Sequence, residues 1–414
     1  MTENSESTIP LAIDALAETL PGYEGQLVHR ETIPAREGQF VDPTEVLEPD
    51  LAAAFDAEVG DLFSHQAAAL RLLEDGENVV VATDTSSGKT YVYALSIARK
   101  HLADPESTAL LVYPTKALSR DQERELNDFF EALGLDVSVR VYDGDTPSDR
   151  RKRIRESADV VITNFVGLNV YLAHHPRWRD FFSNCETVAI DESHAYTGVH
   201  GMHVAWTIRR LRRLLSAYGS DPQFVCTSAT IGNPAHHAER LTGVPFAVVD
   251  DDGSPRGRRD LGFWKPPVDE RALSPDAGFD EFREAQTSPV REASDLLADL
   301  GVHDYQTLLF TRSRKGAELA ATYARSAANR HPASADLSVD PYHAGLGKET
   351  RRGTEYQFKT GVLDGVTATN ALELGIDVGS MDATILTGYP GTRQSFWQQV
   401  GRSGRGVRDA ISVL

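Results

Sequence analysis

The chain is poor in cysteine and has no long apolar run. Its 414 residues include two cysteines, Cys185 and Cys226, so neither a disulfide framework nor a Cys-x-x-Cys metal site is available. No apolar run approaches the roughly 20 residues of a membrane helix, and residues 1–6 lack the basic and apolar regions of a signal peptide. We therefore expect a cytoplasmic protein with no membrane partner, whose metal arrives together with a ligand.

Positive charge is also scarce. Lys and Arg number 42 against 61 Asp and Glu, which gives a net charge of −19. A phosphate backbone is ordinarily met by a basic surface, but acidity spread over a whole chain is also typical of adaptation to high intracellular salt, where screening is strong. We interpret the balance as a halophilic composition. The two dense basic runs, residues 150–155 and 209–213, are most simply solvated helix faces.

The alternation of strand-like and helical segments predicts an α/β fold with two tandem domains, each a mostly parallel sheet with helices on both faces. Strands are expected at residues 78–82, 109–113, 137–142, 160–163, 187–190 and 223–227, and then at 306–310, 337–342, 365–368, 383–387 and 409–414. The predicted organisation is a partly flexible lead-in (1–49), a first domain (50–250), a linker (251–284) and a second domain (285–414). Because the sequence stops at an apolar strand, we expect the natural protein to continue.

A candidate phosphate-binding loop, residues 83–90, follows the first predicted strand and precedes a predicted helix. Backbone N–H groups at such a turn bind an anion, a lysine adds charge and a hydroxyl can reach Mg²⁺. ATP with Mg²⁺ is the leading ligand, although the first glycine of the usual pattern is replaced by threonine and an ordinary strand-turn-helix remains the alternative. The residues expected to bind nucleotide are Thr83, Ser86, Ser87, Gly88, Lys89 and Thr90.

Two carboxylates, Asp191 and Glu192, end the predicted strand 187–190. Hydrolysis of a nucleoside triphosphate needs one carboxylate to hold Mg²⁺ and a second group to orient or deprotonate water. We assign the metal to Asp191 with Thr90, and the water to Glu192. The alternative is that the acidic pair merely caps the helix that follows.

Two arginines, Arg402 and Arg405, lie near the end of the second predicted domain, within residues 398–405. Arginine can neutralise the charge that develops during phosphoryl transfer, an effect worth about 10³–10⁵ in rate. We expect both to contact nucleotide and to take part in catalysis, which would then depend on domain closure. Solvated surface arginines are the alternative.

With these three stretches together, the chain resembles the superfamily 2 helicases of the DExH type from residue 62 onward. The resemblance implies that both domains are RecA-like, that Gln66 reads adenine and that Asp377 faces the nucleotide. Residues 227–230 look like the motif that couples hydrolysis to domain movement. The residues to which the resemblance gives a coupling role are His194, Ser228, Thr230 and Gln398.

A narrower resemblance is to the MrfA-like (YprA-type) DNA repair helicases, carried by residues 64–66, 255–257, 264–267, 342–346 and 396–405. It implies movement from 3′ to 5′ on DNA and a role in DNA repair. Members of that family carry a C-terminal domain with a four-cysteine metal site, and this sequence ends before it.

The expected partner is single-stranded or partly duplex DNA, with RNA less favoured. Hydroxyls, amides and helix N-termini touch the sugar-phosphate backbone and carry no base information, so no sequence preference is expected. The same residue types also cap helices. The residues assigned to nucleic acid by the resemblance are Thr115, Lys116, Gly144, Thr163, Asn164, Thr311, Arg312 and Thr369.

Three alternative functions remain open from the sequence. The first is an RNA-dependent ATPase of the same superfamily, which stimulation by RNA instead of DNA would reveal. The second is a small-molecule kinase with a phosphate loop, although a kinase has no use for a second such domain with paired arginines. The third is a non-catalytic clamp, against which the intact Lys89, Glu192 and Arg402 argue.

Overall fold

The computed structural model describes residues 13–14, 16, 20–269, 273–274, 278, 280–281, 285–333, 336–373, 379, 381–404 and 406–414. The chain divides into two compact units. We call Gly38–Ser254 the central unit, and Met1–Glu37 together with Pro255–Leu414 the split unit. Each contains a mostly parallel sheet flanked by helices, so the predicted α/β fold class is confirmed.

The strands and helices are numbered in chain order. The strands are β1 (Leu27–Ile33), β2 (Phe40–Val41), β3 (Leu62–Phe63), β4 (Val79–Ala82), β5 (Thr108–Val112), β6 (Val139–Val141), β7 (Val160–Thr163), β8 (Cys185–Ile190), β9 (Gln223–Ser228), β10 (Ala247–Val249), β11 (Arg259–Trp264), β12 (Thr307–Phe310), β13 (Val339–Tyr342), β14 (Gly365–Ala368), β15 (Ala383–Leu386) and β16 (Ala410–Val413). The α-helices are α1 (Pro49–Glu58), α2 (Ser64–Glu74), α3 (Thr90–Ala103), α4 (Lys116–Ala132), α5 (Ser148–Ser157), α6 (Phe165–Leu172), α7 (Arg179–Ser183), α8 (Gly198–Ala217), α9 (Pro234–Thr242), α10 (Pro289–Val302), α11 (Arg314–Arg330), α12 (Lys348–Lys359) and α13 (Arg393–Val400).

The sheet of the central unit has the order β10-β4-β9-β8-β5-β7-β6, and every neighbouring pair is parallel. Helices cover both faces, so an inner strand such as β4 is buried along its whole length and reads as an unbroken apolar run. The carboxyl ends of parallel strands meet at one edge of a sheet. The loops that follow β4, β8 and β9 are therefore neighbours.

The sheet of the split unit has the order β1-β11-β16-β15-β12-β14-β13, in which β1 alone is antiparallel to its neighbour. This differs from the predicted organisation, because β1 comes from the lead-in (1–49) and β11 from the linker (251–284). The physical reason is that β1 is an edge strand whose middle residues are exposed, and an edge strand needs no apolar alternation. The remainder of the predicted linker lies partly outside the described residues.

Each unit has its own core. In the central unit one cluster includes Phe55, Leu95 and Phe130, and another includes Trp178 and Ile208. In the split unit the fully buried Ile13 and the nearly buried Leu16 pack with residues of α10, α11 and the sheet. Ile13 and Leu16 are therefore part of that core. None of the described helices is long and apolar enough to cross a membrane.

Replacing Gly257 by alanine should destabilise the split unit, because a Cβ at Gly257 would lie 2.1 Å from the carbonyl oxygen of Arg408. Overpacking of this kind costs roughly 1–3 kcal/mol, so urea unfolding followed by tryptophan fluorescence should show a lower midpoint. Gly353 on α12 is the matched control, because no atom lies within 4 Å of a Cβ added there. Alanine favours a helix over glycine by about 0.5–1 kcal/mol. Equal midpoints for the two variants would contradict close packing at Gly257.

Candidate active site

The phosphate loop connects β4 to α3 and contains two residues in the left-handed region, Ser86 (φ +64°) and Gly88 (φ +71°). A Cβ added at Gly88 would lie 2.5 Å from Nε2 of Gln66, so both the dihedral angle and the close approach require glycine there. Ser86 has no such freedom, and a non-glycine residue at positive φ is uncommon. Such strain is often found at ligand-binding loops.

Lys89 folds back over this loop. Its Nζ donates to the carbonyl oxygens of Thr83, at 3.0 Å, and Asp84, at 2.5 Å. Desolvation by the surrounding protein lowers the pKa of Lys89, and the carboxylates of Glu192 and Asp191 oppose that shift. The ammonium group therefore lies between carbonyl oxygens of the loop and the nearby carboxylates of Asp191 and Glu192.

Helix α2 braces the loop from outside. Gln66 donates from Nε2 to the carbonyl oxygen of Gly88, at 2.9 Å, and accepts at Oε1 from the amide of Phe63, at 2.8 Å. Nε2 of His65 lies 2.9 Å from the carbonyl oxygen of Ser87. The structure thus places the Nε2 end of Gln66 against the loop and its Oε1 end on the residue before α2, while its contact with adenine stays a prediction. Sequence reasoning gave His65 no role.

Asp191 follows β8 and lies beside Thr227, the penultimate residue of the neighbouring strand β9. The Thr227 hydroxyl donates to Oδ1 of Asp191 and accepts from the amide of Glu192, at 3.2 Å. Desolvation, together with the nearby Glu192 charge, raises the pKa of Asp191 to about 7. Thr227 lies in the predicted coupling motif at residues 227–230, but it was not among the predicted site residues.

Glu192 adopts a left-handed conformation (φ +48°) and faces His194. Nε2 of His194 lies 3.3 Å from Oε2 of Glu192, and its Nδ1 accepts from the amide of Ala229 at 2.9 Å. Desolvation, and then the Lys89 charge, lower the pKa of His194 to about 3. The imidazole is therefore neutral and connects the acidic pair to the loop after β9.

The predicted coupling residues of the central unit lie around this connection. Oγ of Ser228 is 3.3 Å from Nδ1 of His194, and the Thr230 hydroxyl donates to Oδ1 of Asp84 at 3.4 Å. The loop after β9 therefore contacts both the acidic pair, through His194, and the phosphate loop. The role of His194, Ser228 and Thr230 in coupling stays a prediction.

The donor set fits Mg²⁺ that arrives with a nucleotide. Thr90 and Asp191 offer oxygen atoms, the ligands that Mg²⁺ prefers, and Mg²⁺ usually takes one or two protein ligands with substrate phosphates and water. Desolvation, and then the Glu192 charge, raise the pKa of Asp191, and a bound cation would favour its ionised form. Within the described part of the chain, no group of three or more His, Cys, Asp or Glu residues could hold a metal ion.

Three of the five nucleic-acid residues predicted in the central unit line one cleft. A cleft of about 410 Å³ is lined by Lys116, Gly144 and Asn164, with aromatic residues among its walls. Thr115 and Asn164 also cap α4 and α6 through their side chains, so each has a structural role as well. Nζ of Lys116 lies 2.9 Å from Oδ1 of Asp145. Thr163, at the end of β7, is buried.

The side chains of the nucleic-acid residues predicted in the split unit make hydrogen bonds to backbone groups of that unit. Arg312 donates to the carbonyl oxygen of Tyr389 at 2.8 Å, and the Thr311 hydroxyl donates to that of Ser313 at 3.1 Å. Thr369 caps the short turn Asn370–Leu372. These contacts leave the prediction of nucleic-acid binding untested.

Arg402 is buried and donates from Nη2 to the carbonyl oxygen of Glu373 at 2.6 Å. Gln398 on the preceding helix, α13, is buried too. The structure therefore ties Arg402 to residues just before the predicted nucleotide-facing segment. Asp377 and Arg405 lie outside the described residues.

The two basic runs are tied to neighbouring groups. Arg151 donates to the carbonyl oxygen of Thr146 at 3.0 Å, and Arg210 donates to Oδ1 of Asn169 at 2.6 Å. Such contacts are compatible with the interpretation of these runs as helix faces.

Comparison with known protein families decides what the two units are. Residues 63–237 match the DEAD/DEAH box helicase family, and residues 291–407 match the helicase conserved C-terminal domain. The chain belongs to the superfamily 2 helicases. The family resemblance found in the sequence is thereby confirmed, and the site described above lies in the first of the two matched helicase segments.

Among its relatives, this helicase chain is 36% identical over 405 residues to the ATP-dependent helicase YprA of Bacillus subtilis (strain 168), covering 97% of this chain and 52% of that protein. It is 37% identical over 402 residues to the ATP-dependent helicase hrq1 of Schizosaccharomyces pombe (strain 972 / ATCC 24843), covering 94% and 37%. The crystal structure of the DUF1998 helicase MrfA bound to DNA and AMPPNP superposes with a TM-score of 0.86 at 35% identity, covering 97% of this chain and 55% of that one. The chain thus spans about half the length of these relatives, or less.

Replacing Thr227 by valine should slow ATP hydrolysis by about 10–100-fold, the usual effect of losing a group that orients a metal ligand. The change removes the hydroxyl between Asp191 and the Glu192 amide at similar volume, and phosphate release measures the rate. Thr207→Val is the control, because that hydroxyl donates to the His203 carbonyl within α8. An unchanged rate in Thr227→Val would show that the hydroxyl does not orient the acidic pair.

Proposed function

We propose that this chain is the motor core of an ATP-dependent helicase that acts on DNA. The proposal rests on one set of contacts around the acidic pair Asp191 and Glu192. Thr227 and His194 join that pair to the loop after β9, and the same loop contacts the phosphate loop at Asp84. A protein that only binds nucleotide has no need for a water-orienting carboxylate that is linked in this way to a motif for domain movement. The membership of a helicase family agrees with this proposal.

The roles in hydrolysis follow from position and chemistry. The amides of the phosphate loop and the N-terminus of α3 bind the phosphates, and Lys89 adds its charge to the β and γ phosphates. Thr90 and Asp191 would hold Mg²⁺, which supplies charge neutralisation when bound. Glu192 orients the attacking water and receives its proton. His194, neutral at physiological pH, contacts both Glu192 and the loop that contains Ser228 and Thr230. A change in the position of Glu192 during hydrolysis would therefore move that loop.

The remaining nucleotide contacts are proposed from the family pattern. Gln66, already against the phosphate loop, binds adenine, and Asp377 faces the nucleotide. Arg402 and Arg405 neutralise charge on the transferred phosphoryl group. Gln398 acts with them in coupling hydrolysis to movement.

DNA is the favoured nucleic acid. The relative MrfA, at 35% identity, was crystallised with DNA, and the cleft around Lys116 offers a cation, helix N-termini and aromatic walls, all of which suit a single strand. The proposed contacts of the strand are those named from the sequence in each unit. Movement from 3′ to 5′ and a role in DNA repair complete the proposal and rest on the MrfA-like resemblance. The proposed cytoplasmic location rests on the sequence instead.

The proposal predicts ATP hydrolysis that single-stranded DNA stimulates more than RNA does, measured as phosphate release at molar salt. Lys89→Ala should reduce the stimulated rate by at least about 10²-fold, because a preorganised phosphate contact is lost. Glu192→Gln should reduce it by about 10²–10⁴-fold through loss of the general base. Wild-type rates in both variants would contradict the assigned site.

Lys116→Ala is the companion variant for the DNA side. Its side chain is about 43% exposed and its ammonium group is paired with Asp145, so the change should leave hydrolysis without DNA unchanged. The DNA concentration for half-maximal stimulation should rise, and the dependence of binding on salt should fall by about one unit of log–log slope. Greater stimulation by RNA than by DNA would favour an RNA-dependent ATPase.

Direction is tested by strand displacement on duplexes with one single-stranded overhang. A motor that moves from 3′ to 5′ should displace strands from 3′-overhang duplexes in the presence of ATP, and blunt or 5′-overhang duplexes should remain paired. The Glu192→Gln protein is the control for displacement by binding alone. Displacement from 5′ overhangs only would overturn the proposed direction.

A further inference from the structure

A short strap of three residues, Asp252-Gly253-Ser254, lies against the phosphate loop. The Asp252 side chain is about 7% exposed. Its Oδ2 accepts from the amide of Asp84 at 3.1 Å, and its Oδ1 accepts from the amide of Ser254 at 2.9 Å and from the Ser254 hydroxyl at 2.7 Å. Both carboxylate oxygens are thus engaged, and one of them holds the start of the loop.

His65 makes the second connection between the strap and the loop. Its side chain is fully buried, its Nδ1 accepts from the amide of Gly253 at 3.3 Å, and its Nε2 lies 2.9 Å from the carbonyl oxygen of Ser87. Because Nδ1 accepts, the ring hydrogen is on Nε2 and donates to Ser87. The imidazole therefore bridges the strap and the middle of the phosphate loop.

Gly253 allows the strap to approach this closely. A Cβ added there would lie 2.0 Å from Oγ of Ser64 and 3.1 Å from its backbone nitrogen. On the other side, the Gly253 carbonyl oxygen accepts from the amide of Gln39 at 2.8 Å. The strap is therefore fixed between α2 and the segment that precedes β2.

The strap and α2 hold the loop at successive points. Asp252 binds the amide of Asp84, His65 binds the carbonyl of Ser87 and Gln66 binds that of Gly88. None of these contacts uses the amides of residues 86–90, which are the groups expected to meet phosphate. A hydrogen bond to a charged acceptor is stronger than one between neutral groups, and leaving a buried amide without its acceptor is costly. The strap thus fixes the loop without competing for its ligand.

We propose that Asp252, acting with His65, is a positioning residue that holds the phosphate loop in the conformation that binds the triphosphate. This inference rests on the proposed function, because it concerns the same nucleotide site. Asp252 acts on ATP through the amide of Asp84, whereas the groups that act on water, Asp191 and Glu192, lie on a different loop. Loss of Asp252 therefore weakens ATP binding and changes the chemical step little.

The test compares Asp252→Asn with Asp251→Asn, because Asp251 is the exposed neighbour of the same charge. Asp252→Asn should raise the KM for ATP by about tenfold, the size expected when a charge-assisted hydrogen bond is lost, and change kcat by less than about threefold. The dissociation constant of a fluorescent ADP analogue should rise in parallel. Asp251→Asn should match the wild type in all three quantities.

Each other outcome counts against the strap. An unchanged KM and dissociation constant in Asp252→Asn would overturn the inference, as would a fall in kcat at constant KM. Thermal unfolding of the nucleotide-free protein separates positioning from general damage. A large loss of stability in Asp252→Asn, together with a rise in KM and a fall in kcat of similar size, would indicate a structural role only. If the wild type and Lys89→Ala hydrolyse ATP equally, the proposed function fails, while binding of the ADP analogue still decides whether Asp252 positions the loop.

Discussion

The central unit depends on the crowding of one ammonium group and two carboxylates, those of Lys89, Asp191 and Glu192, at the carboxyl edge of a parallel sheet. Desolvation lowers the pKa of Lys89 and raises that of Asp191. Burial thus disfavours both charged forms, and each charge partly stabilises the other. A triphosphate with its metal supplies the opposite charges that this arrangement lacks. The site is thus built around a ligand of mixed charge.

The loops that carry these groups are held from outside. Ser86 and Glu192 both adopt left-handed conformations without being glycine, and such conformations persist where surrounding contacts fix them. For the phosphate loop, those contacts come from α2 and from the strap at residues 252–254. For Glu192, they come from Thr227 and His194. Rigid support behind a site leaves its inner amides and carboxylates available to the substrate.

The sequence predicted the parts of this fold that have dense local signals. Strand β4 lies where its apolar run placed it, because a strand buried on both faces is apolar throughout. The exposed edge strand β1 has no such constraint, and nothing local in its sequence indicates a partner some 230 residues away. Motifs likewise revealed Lys89, Asp191 and Glu192, whereas the contacts of His65 and Asp252 exist only in the folded chain.

The pairing of β1 with β11 has a consequence for biosynthesis. Because the ribosome produces the chain from its N-terminus, β1 emerges long before the strand that it joins. The whole of Gly38–Ser254 is translated in between and can fold as a unit during that time. Because β1 is polar along most of its length, it can remain exposed to water until β11 is made. An apolar edge strand of the same length would promote aggregation during that time.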